Sequence, residues 1–220
     1  MEAKERFPRT PSKKAEYILR NINMCTITTH AVTLEKKLDQ GNLRLIPLCD
    51  EHLPYLYRWN SDTDVLYWTE ADDVIEPYSP ETVRAIYGGV SKNAFCFLAQ
   101  LDDKPIGECW LQRMNLPKVR SLYPETCDVR RIDLCIGEKE YWGKGIGTEM
   151  LALLVRFAFE QEKVDVLRCF SEDYNLRSRR AFEKNGFSLV LSEPVSTPSQ
   201  KRNVEYHWEL TKEDFLSFSG

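Results

Sequence analysis

The chain has 220 residues, 42% of them hydrophobic and 29% charged, with a formal net charge of -4. That length suits one ordinary domain with or without an extension, and the composition is globular rather than disordered. No apolar run nears the roughly 20 residues that span a bilayer, and the acidic balance argues against a nonspecific nucleic-acid binder; neither a membrane nor a nucleic acid is expected as a partner.

Residues 1–41 are expected to be an N-terminal extension, weakly structured or accessory, either a dimer contact or a disordered arm. Its start is basic (Lys4, Arg6, Arg9, Lys13, Lys14) and carries Pro8 and Pro11. No apolar stretch follows the charged start, so it does not read as a secretory signal. Within it, residues 26–32 favour a strand and 34–38 a helical turn, and Gly41 punctuates. The seven cysteines are scattered, with no C-x-x-C, and there are three histidines. These features predict buried reduced thiols in a cytoplasmic protein and no metal site.

The main domain is expected over 42–220. Residues 43–46 read as a strand. Asp50 is a plausible cap for a helix carrying Leu53, Leu56 and Trp59, and Ser79-Pro80 begins another helix. Strands are predicted at 94–100 and 106–111, joined by the Asp102-Asp103 turn. Residues 129–136 alternate, with Ile132, Leu134 and Ile136 on one face and Arg131, Asp133 and Cys135 on the other. Beyond the glycines a helix carries Ile146, Met150 and Leu154. A strand at 166–170, a helix over 175–185 ended by Gly186, and strands at 187–191 and 204–210 complete the reading. The early hairpin and late strand–helix–strand units predict a mixed, mostly antiparallel α/β sheet with flanking helices.

Gly143, Gly145 and Gly147 lie at alternate positions between a strand and an amphipathic helix. Glycines there let the backbone approach a ligand and expose its N–H groups, and the helix N-terminus adds partial positive charge. This suits a pyrophosphate. Neither the P-loop nor the dinucleotide fingerprint is met. A turn that only packs a helix on a strand is the plain alternative.

The run Trp142-Gly143-Lys144-Gly145-Ile146-Gly147 resembles the Q/R-x-x-G-x-G/A motif of the GCN5-related N-acetyltransferases, with Trp142 where Gln or Arg is commonest. Asn175 and the block from Ala181 to Phe187 resemble that family's second motif. The resemblance covers about residues 42–212 and implies the family's acyl-coenzyme A N-acyltransferase fold, with acetyl-coenzyme A as co-substrate. It implies that Leu134, Cys135 and Ile136 hold the pantetheine arm and thioester by their backbone. The amides of Trp142, Gly143, Lys144, Gly145, Ile146, Gly147 and Thr148 would take the pyrophosphate, Lys144 would add a cation, and Asn175 would contact the arm. Family members often carry a Tyr seven residues after the Asn as the acid for the leaving thiolate. Phe182 stands there and has no proton to give.

Asp133 is the candidate base or amine anchor, because it sits on the polar face beside the expected thioester; a plain ion pair with Arg113 or Arg131 is the alternative. Between Asn60 and Val83 the chain carries Asp62, Asp64, Glu70, Asp72, Asp73, Glu76 and Glu81 with no Lys or Arg, interleaved with Tyr67, Trp68 and Tyr78. An acidic, aromatic wall would concentrate a cationic amine, although a solvated acidic loop has the same composition. Glu125 and Asp128 could extend that patch. Within the family the chain resembles the bacterial aminoglycoside 6′-N-acetyltransferases, in which an Asp matching Asp133 serves amine binding and catalysis. Acetylation of a cationic small-molecule amine, a 6′-amine of an aminoglycoside above all, is thus the expected function. The alternatives are a polyamine or a protein or peptide acceptor, or a non-catalytic acyl-coenzyme A-binding module. A monomer or a homodimer is expected.

Overall fold

The structure, a computed structural model, describes residues 27–69, 77–195 and 204–218. These residues form one sheet of eight strands: β1 (Leu34–Leu38), β2 (Gly41–Pro47), β3 (Ala94–Leu101), β4 (Lys104–Arg113), β5 (Val129–Ile136), β6 (Val166–Glu172), β7 (Ser188–Pro194) and β8 (Val204–Thr211). Their spatial order is β1-β2-β3-β4-β5-β6-β8-β7. Every neighbouring pair is antiparallel except β5 and β6. The mixed, mostly antiparallel sheet expected from the sequence is therefore present.

Seven helices flank it among the described residues: α1 (Leu53–Trp59), α2 (Thr63–Thr69), α3 (Pro80–Val90), α4 (Pro117–Arg120), α5 (Ile146–Arg156), α6 (Leu176–Lys184) and α7 (Lys212–Phe218). Strand β3 shows why helices are needed on both faces. Phe97 and Leu98, one residue apart, are both wholly buried, as in a strand covered twice. Phe97 joins a core under α5, with Ile146, Met150, Leu151 and Leu154. Leu98 joins another with Leu56 and Trp59 of α1, Val65 of α2 and Val83 of α3. A fully buried Leu of this kind contributes about 1.5–3 kcal/mol. Helix α3 starts as its sequence predicts, with Ser79 Oγ accepting the Thr82 N–H at 3.2 Å and Pro80 next. Helix α6 ends at Gly186, where φ is 82°. None of the described helices is long and apolar enough to cross a membrane.

Two expectations near the N-terminus are overturned. Residues 34–38 are a strand, not a helical turn, and pair with β2 from Leu34↔Leu45 to Leu38↔Gly41. Leu34 and Leu38, four apart, share a face in a helix and in a strand alike, so their spacing could not decide. Residues 27–32 are not a strand. Side chains take their amides instead: Asp50 Oδ1 accepts the Ile27 N–H at 3.0 Å, and Ser91 Oγ accepts that of Thr28 at 2.9 Å. Asp50, expected to cap α1, thus pins this arm, while a short 3-10 turn over Asp50–His52 leads into α1. Of the segment expected as an extension, residues 1–26 lie outside the described residues, and the described part contributes an edge strand and a packed arm, with Ile27 buried.

The sheet opens at its centre. Parallel pairing of β5 with β6 covers only Val129↔Val166, Arg130↔Leu167 and Arg131↔Arg168. On its other side β5 stays paired with β4 as far as Ile136↔Gly107. Beyond Arg131 the strands diverge, and the outer half of β5 keeps one neighbour instead of two.

Candidate active site

Two clefts meet over the diverging half of β5. The first, of about 310 Å³, runs between Leu134, Cys135 and Ile136, the glycines 143, 145 and 147, and α6. The second, of about 420 Å³, lies on the α1–α3 side and includes Glu108, Trp110, Asp133 and Phe182 in its lining. They share Trp68, Leu134, Cys135 and Asn175, so ligands in the two clefts would touch across β5.

Gly145 caps α5 at φ 81°, a left-handed conformation natural to glycine, and a Cβ there or on Gly143 would meet no protein atom within 4 Å. The loop thus leaves backbone and open space facing the cleft. Within residues 142–148, Trp142 N–H donates to Lys139 and Thr148 N–H to Gly145. Gly143 to Gly147 supply the remaining amides at the positive end of α5. Trp142 Nε1 donates to the Ile136 carbonyl at 2.7 Å, which fixes the loop to the end of β5. Asn175 caps α6 by accepting the Ser178 N–H at 3.2 Å, and its Nδ2 donates to the Trp68 carbonyl at 3.3 Å. It ties the two sides of the cleft together. Lys144 does not line this cleft. Its ammonium lies 5.5 Å from the Tyr141 ring centre, beside a separate cavity shared with Lys104 and Gln40.

In the second cleft Asp133 is held from two directions. Trp110 Nε1 donates to Oδ2 at 2.7 Å, Arg131 Nε donates to the same oxygen at 2.7 Å, and Arg131 Nη2 donates to Oδ1. The pairing with Arg131 considered from sequence is real, and Asp133 still lines the cleft. Burial works against the Arg131 charge, but Asp133 outweighs it and the guanidinium is held above its ordinary value.

Sequence reasoning missed Glu108. It is buried on β4, in register with Cys135 of β5, and lines the second cleft. Burial, and then the Glu108 charge, push the neighbouring Tyr87 hydroxyl well above its usual value. Tyr87 therefore stays a hydrogen-bond donor, positioned by Asn60 Nδ2 at 3.2 Å and by an edge contact with Trp110. Glu172 and Glu205, paired across β6 and β8, line the same cleft. Phe182 is buried among Phe187 and Trp208, with its ring on the cleft wall.

Trp68 lines both clefts. Glu70, Asp72 and Asp73 lie outside the described residues. Glu125 is exposed and lines neither cleft. Asp128 is bound by Arg130 Nη2 at 2.8 Å, at the entrance of β5 and away from both clefts. Asp62 and Asp64, unaccompanied by cations in sequence, meet one in space: Lys139 Nζ stands 2.8 and 2.7 Å from their carboxylates. The hydrogen bond from Lys139 holds the Asp62 carboxyl below its usual range. Among the described residues no group of His, Cys, Asp and Glu is arranged to hold a metal ion. Cys96, Cys109 and Cys169 are buried, and burial pushes the Cys96 thiol up to about 12.

Residues 42–188 match the family model described as the acetyltransferase (GNAT) domain. The chain is 26% identical to the aminoglycoside N(6')-acetyltransferase type 1 of Klebsiella pneumoniae over 181 residues, 78% of this chain and 84% of that one. Its fold is similar to that of AAC(6')-Ib solved with ribostamycin and coenzyme A (TM-score 0.62, 22% identity, 81% of this chain and 97% of that one). It is also similar to that of RimL, a ribosomal L7/L12 alpha-N-protein acetyltransferase solved with coenzyme A (TM-score 0.63, 14% identity, 81% and 97%). The family match spans the sheet's centre, the glycine loop and the whole of α5 and α6, and with it this chain belongs to the GNAT acetyltransferases and is an N-acetyltransferase.

Proposed function

We propose that this enzyme transfers the acetyl group of acetyl-coenzyme A to a primary amine of a polycationic small molecule, with the 6′-amine of an aminoglycoside as the first candidate. The observation that carries this reading is the opposite charge of the two clefts. The glycine-loop cleft is lined by Arg177, Arg180 and Lys184 and by no carboxylate. The second cleft is lined by Glu108, Asp133, Glu172 and Glu205 against Arg131 alone. A polyanionic cofactor and a polycationic acceptor are thus drawn to opposite sides of one strand. The names of the sequence relatives support the acceptor class.

Acetyl-coenzyme A would supply the activated thioester. The amides of Gly143 to Gly147 suit its pyrophosphate, and the outer half of β5, unpaired toward β6, suits its amide-bearing arm. On the acceptor side Asp133 and Glu108 face the position where the amine meets the thioester carbonyl. The nitrogen must shed its ammonium proton to attack, and a carboxylate receives it. The C–N bond forms as the C–S bond breaks, and the nitrogen, positively charged after attack, loses its second proton to water to leave the neutral amide. Phe182 gives no proton, so the leaving sulfur departs as thiolate; a thiol with a pKa near 8.5 permits this around neutrality.

The test is thiol release from acetyl-coenzyme A over a panel of kanamycin-like sugars, linear polyamines and peptides with a neutral N-terminal residue. Aminoglycosides are expected to give the highest kcat/KM, with the product acetylated at the 6′-nitrogen. Preference for the peptides would replace this reading with that of a protein N-terminal acetyltransferase.

A further inference from the structure

The glycine-loop cleft carries more positive charge than a pyrophosphate on backbone amides requires. Arg177, Arg180 and Lys184 lie three and seven residues apart on α6, a spacing that places them on one helical face, and all three line the cleft. Arg177 is already engaged: its guanidinium lies 4.6 Å from the Trp68 ring centre and 5.2 Å from that of Trp142. Arg180 and Lys184 form no ion pair among the described residues. The end of α6 that bears them is fixed against α5, because Asn185 Nδ2 donates to the Thr148 carbonyl at 3.2 Å. Lys184, the residue before Asn185, thus lies next to that contact with α5, about 10 Å along the helix from Arg177 at 1.5 Å per residue. Lys144, the cation expected from the motif, points elsewhere.

Coenzyme A carries a second anionic group apart from its pyrophosphate, the 3′-phosphate monoester, with a charge of about -1.5 to -2 at pH 7, as in other phosphomonoesters. Helix-end amides carry only partial charge, and a dianion outside the loop calls for side-chain cations. We propose that Arg180 and Lys184 form the 3′-phosphate subsite, and that this face of α6 makes the enzyme selective for coenzyme A esters over their 3′-dephospho forms. The proposal rests on the acyl-coenzyme A reading above.

The experiment is calorimetric titration of the full chain with acetyl-coenzyme A and with 3′-dephospho-acetyl-coenzyme A, for the wild type and the double variant R180A/K184A. Both side chains are exposed, so the variant is expected to melt with the wild type. The wild type should prefer acetyl-coenzyme A by about tenfold, a preference that shrinks as salt rises. The double variant should bind both ligands alike, at the wild type's affinity for the dephospho form, and the charge-keeping variant R180K/K184R should restore most of the preference. Equal affinity of the wild type for the two ligands would overturn the subsite and leave the acyl-coenzyme A reading standing. So would a double variant that weakens both ligands by the same factor, since the cations would then serve the pyrophosphate. Binding of neither ligand to the wild type would overturn both readings.

Discussion

Asp133 and Glu108 face the same cleft from neighbouring strands, and of the two Asp133 is the one paired with a guanidinium. Both oxygens of Asp133 accept from Arg131, and one also from Trp110, so a proton arriving there competes with a guanidinium. Glu108 is buried on the neighbouring strand, across from Cys135. Asp133→Asn is expected to act mainly on KM for the amine, because an anchor contributes equally to ground-state and transition-state binding. Glu108→Gln is expected to lower kcat by about 10²–10⁴-fold, the usual worth of a general base, and to remove the acid limb of the pH profile. Steady-state kinetics across pH at saturating acetyl-coenzyme A would check both; the reverse partition would make Asp133 the base. Asp133 was legible in sequence because hydrophobic alternation in β5 fixes which face it occupies. Glu108 was not. A lone Glu between Gly107 and Cys109 has no pattern around it, and only strand pairing brings it opposite the expected thioester.

At the scale of elements, the glycine loop was readable as a turn between a strand and an amphipathic helix, and it lines the first cleft. Its geometry supplies a test that separates binding from folding. Gly147 lies in the first turn of α5, and a Cβ there would stand 3.5 Å from Ile136 Cδ1, an ordinary contact. Gly147→Ala should therefore hold or slightly raise the melting temperature, since Ala is favoured over Gly inside a helix by roughly 0.5–1 kcal/mol. The added methyl also enters the cleft beside Leu134, and affinity for acetyl-coenzyme A should fall about tenfold, worth roughly 1.4 kcal/mol. Thermal melts and calorimetry on the same preparation read both, and undiminished affinity would take the loop out of the binding site. What the sequence could not show is where β5 and β6 part company. Both runs continue as good strands past Arg131 and Arg168, and nothing in their composition marks the last shared hydrogen bond. Nor could a five-residue stretch such as β1 reveal itself when its two leucines fit either period.

For the whole molecule, the arm over residues 27–33 ties stability to pH through His30. Its Nε2 lies 3.0 Å from the Cys96 carbonyl and its Nδ1 accepts the Val32 N–H at 3.2 Å, an arrangement that requires a neutral ring. Burial lowers its pKa, against the opposing pulls of the Cys96 carbonyl and the Glu162 charge. The unfolded chain therefore takes up this proton at higher pH than the native one. Stability is full above the ordinary histidine value of about 6.5 and is lost as pH falls through the lowered native value. Urea midpoints should drop between pH 7.5 and 5.5. His30→Gln, which keeps a donor for the Cys96 carbonyl, should flatten that slope, leaving the part due to His52, whose pKa burial also lowers. A slope unchanged by the substitution would clear His30 of the effect. The parting of β5 and β6 has a consequence of another kind. An unpaired strand edge is usually a hazard, because another chain can add to it and begin aggregation. Here that edge lies in the middle of the sheet, walled by α5 and α6 and overhung by Trp68 and Trp142. A neighbouring protein, with side chains on alternate sides of its backbone, is too bulky to slide in; a thin, unbranched chain bearing amides is not. The molecule keeps an adhesive edge indoors, where only a slender guest can reach it.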